Sequence, residues 1–111
     1  MDPESLIVLC TRPDEATAER VAGALVEERL AACVNAIAGV SSTYRWQGKV
    51  ERDREVLLLI KTTESAYGRI EDRIRELHPY ELPETVAVPI VRGSRAYLRW
   101  LQEAASGGAS E

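Results

Sequence analysis

Residues 31–63 hold two long β-prone stretches around one turn signal at Gln47-Gly48, and that pattern leaves few folds open. The second stretch changes character partway along. Val56-Leu57-Leu58-Leu59-Ile60 is a continuous apolar run, expected of a strand buried on both faces. Residues 49–55 just before it are almost all charged, which puts them in water or against a polar partner. A strand of about fourteen residues spans roughly 45 Å at ~3.3 Å per residue, whereas a compact domain of this length has a radius of gyration of about 13 Å. The body is therefore too small to cover the hairpin, and its outer half should project, carrying Tyr44, Arg45 and Trp46. Bare aromatic arms with unpaired edges invite association. The chain is expected to be an oligomer.

Around the hairpin the elements follow from periodicity. Residues 5–11 read as a strand ending at Arg12-Pro13. Asp14 then caps a helix whose apolar positions are Ala18, Val21, Ala22, Leu25 and Val26, running to Arg29 or Leu30. Gly39 marks a bulge or bend in the first hairpin arm. After Thr63, Tyr67, Ile70, Ile74 and Leu77 form the buried stripe of a second helix, with Glu71 and Arg75 as a solvated pair outside. Pro79 ends that helix, and residues 78–84 become a connector stiffened by two prolines. Residues 85–91 read as a fourth strand, and Pro89 assigns it an edge or irregular position. Gly93-Ser94 leads into a short helix with Tyr97, Trp100, Leu101 and Ala104 on its apolar side. The order βαββαβ plus a terminal helix is the split βαβ, ferredoxin-like pattern of an α+β fold. One domain over residues 3–105 and a flexible tail over 106–111 are expected. Helices should cover one face of the sheet and leave the other to partners.

Bulk properties exclude several roles. With 111 residues there is room for one core, and 45% apolar and 29% charged content is that of a globular domain, not a disordered one. A net charge of −4 argues against nucleic acid, which needs a basic face. No run approaches the roughly 18 apolar residues of a membrane span, and the start Met-Asp-Pro-Glu is not a signal peptide. Cys10 and Cys33 lack a short-range partner and read as two reduced, buried thiols of a cytosolic protein.

Catalytic signatures are missing: there is no glycine-rich strand–helix loop, no Cys-x-x-Cys and no His-x-x-x-His. His78 is the single histidine, and it reads equally as a helix C-terminal residue or a ligand. With Glu81 and Glu84 on the proline-stiffened loop it could form a metal or polar-ligand site, although each glutamate alone reads as a surface charge. Lys61, one of two lysines, follows the apolar run. It is either a snorkelling strand-end residue or a cation held for an anionic ligand or an interface carboxylate. Tyr44 and Trp46 share a strand face and read as interface anchors.

Five stretches carry a resemblance: residues 27–35 (EERLAACVN), 44–49 (YRWQGK), 59–63 (LIKTT), 78–84 (HPYELPE) and 97–101 (YLRWL). In sequence and order they closely resemble the CutA family of divalent-cation tolerance proteins, from about Leu6 to Leu101. The resemblance implies a ferredoxin-like domain that forms a tight homotrimer through its long hairpins. It implies a link to tolerance of copper and other divalent metals, with Cys10 and His78 matching proposed copper ligands; Glu81 joins them as a candidate from its place on the proline-stiffened loop. A soft thiolate would suit Cu(I), and imidazole would suit Cu(II) or Zn. Some members carry two histidines before the proline; here the first place is Leu77, and Cys10 is not present in every member.

The resemblance further implies a pocket between subunits near Tyr44, Trp46, Lys61 and residues 80–84, including Tyr80 and Glu84. The trimer is similar in plan to P-II-type signalling proteins, which bind small anionic ligands between subunits, although fold alone does not transfer function. The first reading is thus a non-enzymatic, cytoplasmic trimer that binds copper or another divalent cation. The second is a P-II-like ligand-binding trimer, and the third, an enzyme with Cys10 as nucleophile, ranks last because no activating base is identifiable.

Overall fold

The computed structural model describes residues 5–77 and 83–107. Four strands form one antiparallel sheet: β1 (Ser5–Arg12), β2 (Cys33–Trp46), β3 (Lys49–Thr63) and β4 (Val86–Pro89), in the order β2-β3-β1-β4. Helices α1 (Glu15–Glu27) and α2 (Tyr67–Leu77) connect them, a 3₁₀ turn (Glu64–Ala66) precedes α2, and α3 (Arg95–Ala104) follows β4. This is the split βαβ, ferredoxin-like α+β fold that the element order predicts.

The two faces of the sheet differ. Alternation along β1 and β3 sends Leu6, Val8, Cys10, Val56, Leu58 and Ile60 to one side, where α1 and α2 cover them with Ala18, Val21, Leu25, Ile70 and Ile74. The strand register puts Ile7, Leu9, Ile37, Leu57, Leu59, Val86 and Val88 together on the other side. Helix α3 meets that side only at its Ser5 end, where Gln102 donates to the Ser5 hydroxyl at 3.4 Å; beyond it Leu57 and Leu59 are half-buried, and Val86 and Ile37 are 50% and 45% exposed. The run at 56–60 is therefore buried on one face within a single chain, not on both as its composition predicts. Two connecting helices suffice to roof only one side of a four-stranded sheet.

Local chemistry explains the joints. The Asp14 carboxylate accepts the Thr17 amide at 2.8 Å, capping α1. At its other end Leu30 N–H bonds Leu25 O (2.9 Å) and Arg29 N–H bonds Val26 O (3.0 Å), a Schellman closure. Arg29 holds the left-handed conformation this requires (φ 62°) and stops the helix at Glu27, short of the expected Arg29 or Leu30. The buried Thr62 hydroxyl donates to Leu30 O at 2.7 Å, locking the end of β3 to this corner.

The hairpin turns at Gln47-Gly48, both at positive φ, as a two-residue turn between paired Trp46 and Lys49 requires. The register slips between Ile37 and Val40 at Gly39 (φ 78°), the predicted bulge. Beyond it nearly every residue of the hairpin is exposed, and the molecule's longest extent is 44 Å.

Several expectations shift. β4 covers Val86–Pro89 rather than 85–91, and Pro89 ends it at the sheet edge. Arg75 pairs with Asp72 at 2.7 Å instead of Glu71. Arg73 joins α2 to α1 through a forked contact with Glu28, closest at 2.8 Å, worth up to about 1 kcal/mol at a surface. On α3 only Leu101 of the predicted apolar side is buried; Tyr97 and Trp100 stack at 5.5 Å and stay exposed. Cys33 is half-buried rather than buried.

The expected tail is anchored at its start. Gly107 N–H donates to Arg29 O at 2.7 Å, and a Cβ there would stand 2.4 Å from both Arg29 Cβ and Glu28 O. Gly107→Ala should undock this segment and cost about 1–3 kcal/mol. Gly23→Ala, on the exposed face of α1 with open space around its Cβ, should instead add about 0.5–1 kcal/mol. Paired thermal melts check the opposite signs.

Candidate functional site

Cys10 sits in mid-β1 opposite Leu58, fully buried, with Val8 and Arg12 as its neighbours on the helix-covered face. Its Sγ makes one long contact with Thr11 O at 3.8 Å. Burial pushes the thiol pKa up, the Arg12 guanidinium pulls it down, and Glu84 and Glu55 push it up again; burial is the largest influence. The resting form is the neutral thiol, a poor nucleophile and a poor metal ligand.

Arg12 is the residue that sequence reasoning missed. It reads as a strand terminator before proline, yet it is 0% exposed, and its Nε, Nη1 and Nη2 have no hydrogen-bond partner. The signal was the alternation itself: Leu6, Val8, Cys10 and Arg12 occupy one face at a period of two.

Of the expected metal set, His78 and Glu81 lie outside the described residues, as does Tyr80. Among the described residues no three His, Cys, Asp or Glu side chains converge. The setting of Cys10 does not fit a divalent cation, since a cation there would displace a buried proton beside a buried guanidinium. Glu84 is exposed and accepts the Thr11 hydroxyl at 3.4 Å.

The expected cleft residues do not meet within one chain. Lys61 lies half-buried on the uncovered sheet face, paired with Ile7 and Cys33. Trp46 pairs with Lys49, twelve residues earlier along β3, so roughly 40 Å separates it from Lys61 at ~3.3 Å per residue. A pocket holding both would need more than one copy.

Out on the arm, the Tyr44 hydroxyl donates to the Asp53 carboxylate across the hairpin. That bond, more than burial, raises the Tyr44 pKa from 10 to about 12. Because the folded value exceeds the unfolded one, the contact contributes fully below pH 10 and is lost as pH rises through about 12. Spectrophotometric titration should show a late tyrosinate step that disappears in Tyr44→Phe.

The model of the CutA1 divalent ion tolerance protein family matches residues 6–104. The chain belongs to the CutA family. It is 56% identical over 97 residues to the divalent-cation tolerance protein CutA of Thermus thermophilus, covering 87% of this chain and 94% of that one. The solved Cut A1 structure from Thermus thermophilus superposes with a TM-score of 0.89 at 54% identity, covering 90% and 97% of the two chains. The CutA structure from Archaeoglobus fulgidus, named periplasmic, superposes at 0.88 with 34% identity, covering 91% and 98%. The hairpin and the half-covered sheet thus belong to the CutA fold. Among the described residues no helix is long and apolar enough to cross a membrane.

Proposed function

We propose that this chain acts as a homotrimer in divalent-cation tolerance, binding copper or a similar ion in the cytoplasm without catalysing a reaction. The observation that carries the assembly is the uncovered apolar sheet face, Ile7, Leu9, Ile37, Leu57, Leu59, Val86 and Val88, continuous with an arm that carries exposed Tyr44, Trp46 and Val50. Burying such a face between copies gains ~25 cal/mol per Å², and a three-fold arrangement lets each arm cross a neighbour. The family's association with divalent cations supports the metal role.

His78 and Glu81 are the proposed ligands, an imidazole nitrogen and a carboxylate oxygen, a donor pair suited to Cu(II) or Zn. Cys10, the third member of the expected set, contributes only if its proton and the neighbouring positive charge are overcome. Isothermal titration with copper tests this. His78→Ala should weaken binding at least tenfold with the assembly intact, and wild-type affinity should fall as pH drops below ~6.5, where an ordinary imidazole protonates and cannot coordinate. Equal affinity in both proteins would reduce copper to adventitious surface binding.

The second reading, a P-II-like trimer holding a small anion between subunits, draws on Lys61, a cation on an otherwise largely apolar outward face. A metabolite thermal-shift screen on wild type and Lys61→Met separates the two readings.

A further inference from the structure

A fully buried guanidinium with no acceptor is not a stable arrangement in water. Its donors lose hydration without compensation, which makes such a buried charge costly. Arg12 is in that position: 0% exposed, with Nε, Nη1 and Nη2 all unpaired, on the face of β1 that it shares with Cys10. The nearest named acids do not resolve it. Glu55 and Glu84 act on Cys10 through charge, and Glu84 accepts from Thr11, but neither hydrogen-bonds the guanidinium. Among the described residues the one group the guanidinium approaches as a donor is the Cys10 thiol, and a thiol that burial keeps neutral is too weak an acceptor to compensate the charge.

We propose that Arg12 is the anchor of a small-oxyanion site at the C-terminal end of β1, its planar fork taking two oxygens of a phosphate- or sulfate-type anion. Guanidinium geometry matches such a group bidentately. The approach is from the sheet edge, where among the described residues β4 pairs only with Leu6 to Leu9 and leaves Arg12 without a paired strand on that side. The same charge excludes divalent cations from Cys10, and Lys61 lies on the opposite face of the sheet.

The test is isothermal titration of the assembled protein with inorganic phosphate, with thermal melts at matched ionic strength in chloride. Wild type should bind phosphate saturably and melt several degrees higher with it. Arg12→Met, which replaces the unpaired charge with apolar bulk, should melt above wild type in chloride, lose phosphate affinity at least tenfold and show no phosphate shift. Absence of a phosphate effect on wild type overturns the proposal without needing any variant. So does a phosphate effect that persists in Arg12→Met, or one that vanishes only in Lys61→Met, which would place the anion on the outer face. Copper titration on the same samples reads the proposed metal role separately, since Arg12→Met leaves His78 and Glu81 unaltered.

Discussion

Replacing residues 42–53 with Asn-Gly, so that the paired Ser41 and Arg54 are joined by a two-residue turn, should leave a chain that folds but elutes with the mass of one copy instead of three. The deleted half of the hairpin is exposed almost throughout and contributes no member of the buried core, so the body has no reason to unfold. It carries Tyr44, Trp46 and Val50, exposed at 41%, 36% and 57%. Those are the groups that an arm lying against a neighbour would bury. Size-exclusion chromatography with light scattering reads the result. A trimer that survives the deletion would show that the sheet face holds the assembly without the arm. A wild type that is monomeric at all concentrations would remove the trimer altogether. Trp46→Ala should loosen the assembly in the same direction and more than Trp100→Ala does.

Leu58→Ala should be the most damaging single truncation in the core, at about 3–5 kcal/mol. Leu58 is 0% exposed and pairs with Cys10 in the middle of the sheet, beneath α1 and α2. Against a total of about 5–15 kcal/mol for a domain, such a loss raises the unfolded population by roughly two to four orders of magnitude. Denaturant midpoints measure it directly. Leu57→Ala, one residue away on the uncovered face, supplies the contrast. In a lone chain it should cost about 1 kcal/mol or less, since the side chain stays half in water. A cost approaching that of Leu58→Ala, dependent on protein concentration, would mean that another copy covers the outer face.

Particular residues show how far local rules reach. Asp14 as a cap, Gln47-Gly48 as the turn, Gly39 as the bulge and Pro89 at an edge were all legible, because each depends on backbone preferences within a few residues. The helix-covered stripe Ala18, Val21 and Leu25, and its counterpart Ile70 and Ile74, were legible from period alone. The Arg73–Glu28 link and the docking of Gly107 on Arg29 were not, since each joins positions far apart in the chain. Neither was the exposure of Tyr97 and Trp100, which are apolar in type and lie on a helix that turns only Leu101 and its neighbours inward. The candidate site divides along the same line. Motifs singled out Cys10 and Lys61, but not that they lie on opposite faces of the sheet, nor that Trp46 lies roughly 40 Å from Lys61 at ~3.3 Å per residue.

Sequence by itself determined the order of elements, the over-long hairpin, the two-faced strands and the family, because these follow from spacing and short motifs along one dimension. Only the tertiary structure decided which of the two strand faces the helices would roof and which would remain bare. It alone placed the cation of Arg12 under that roof beside Cys10. An arginine next to a proline has an ordinary place at a strand end until the rest of the fold closes over it. Burial is a property of what packs above a residue, and no residue's neighbours along the chain contain that information.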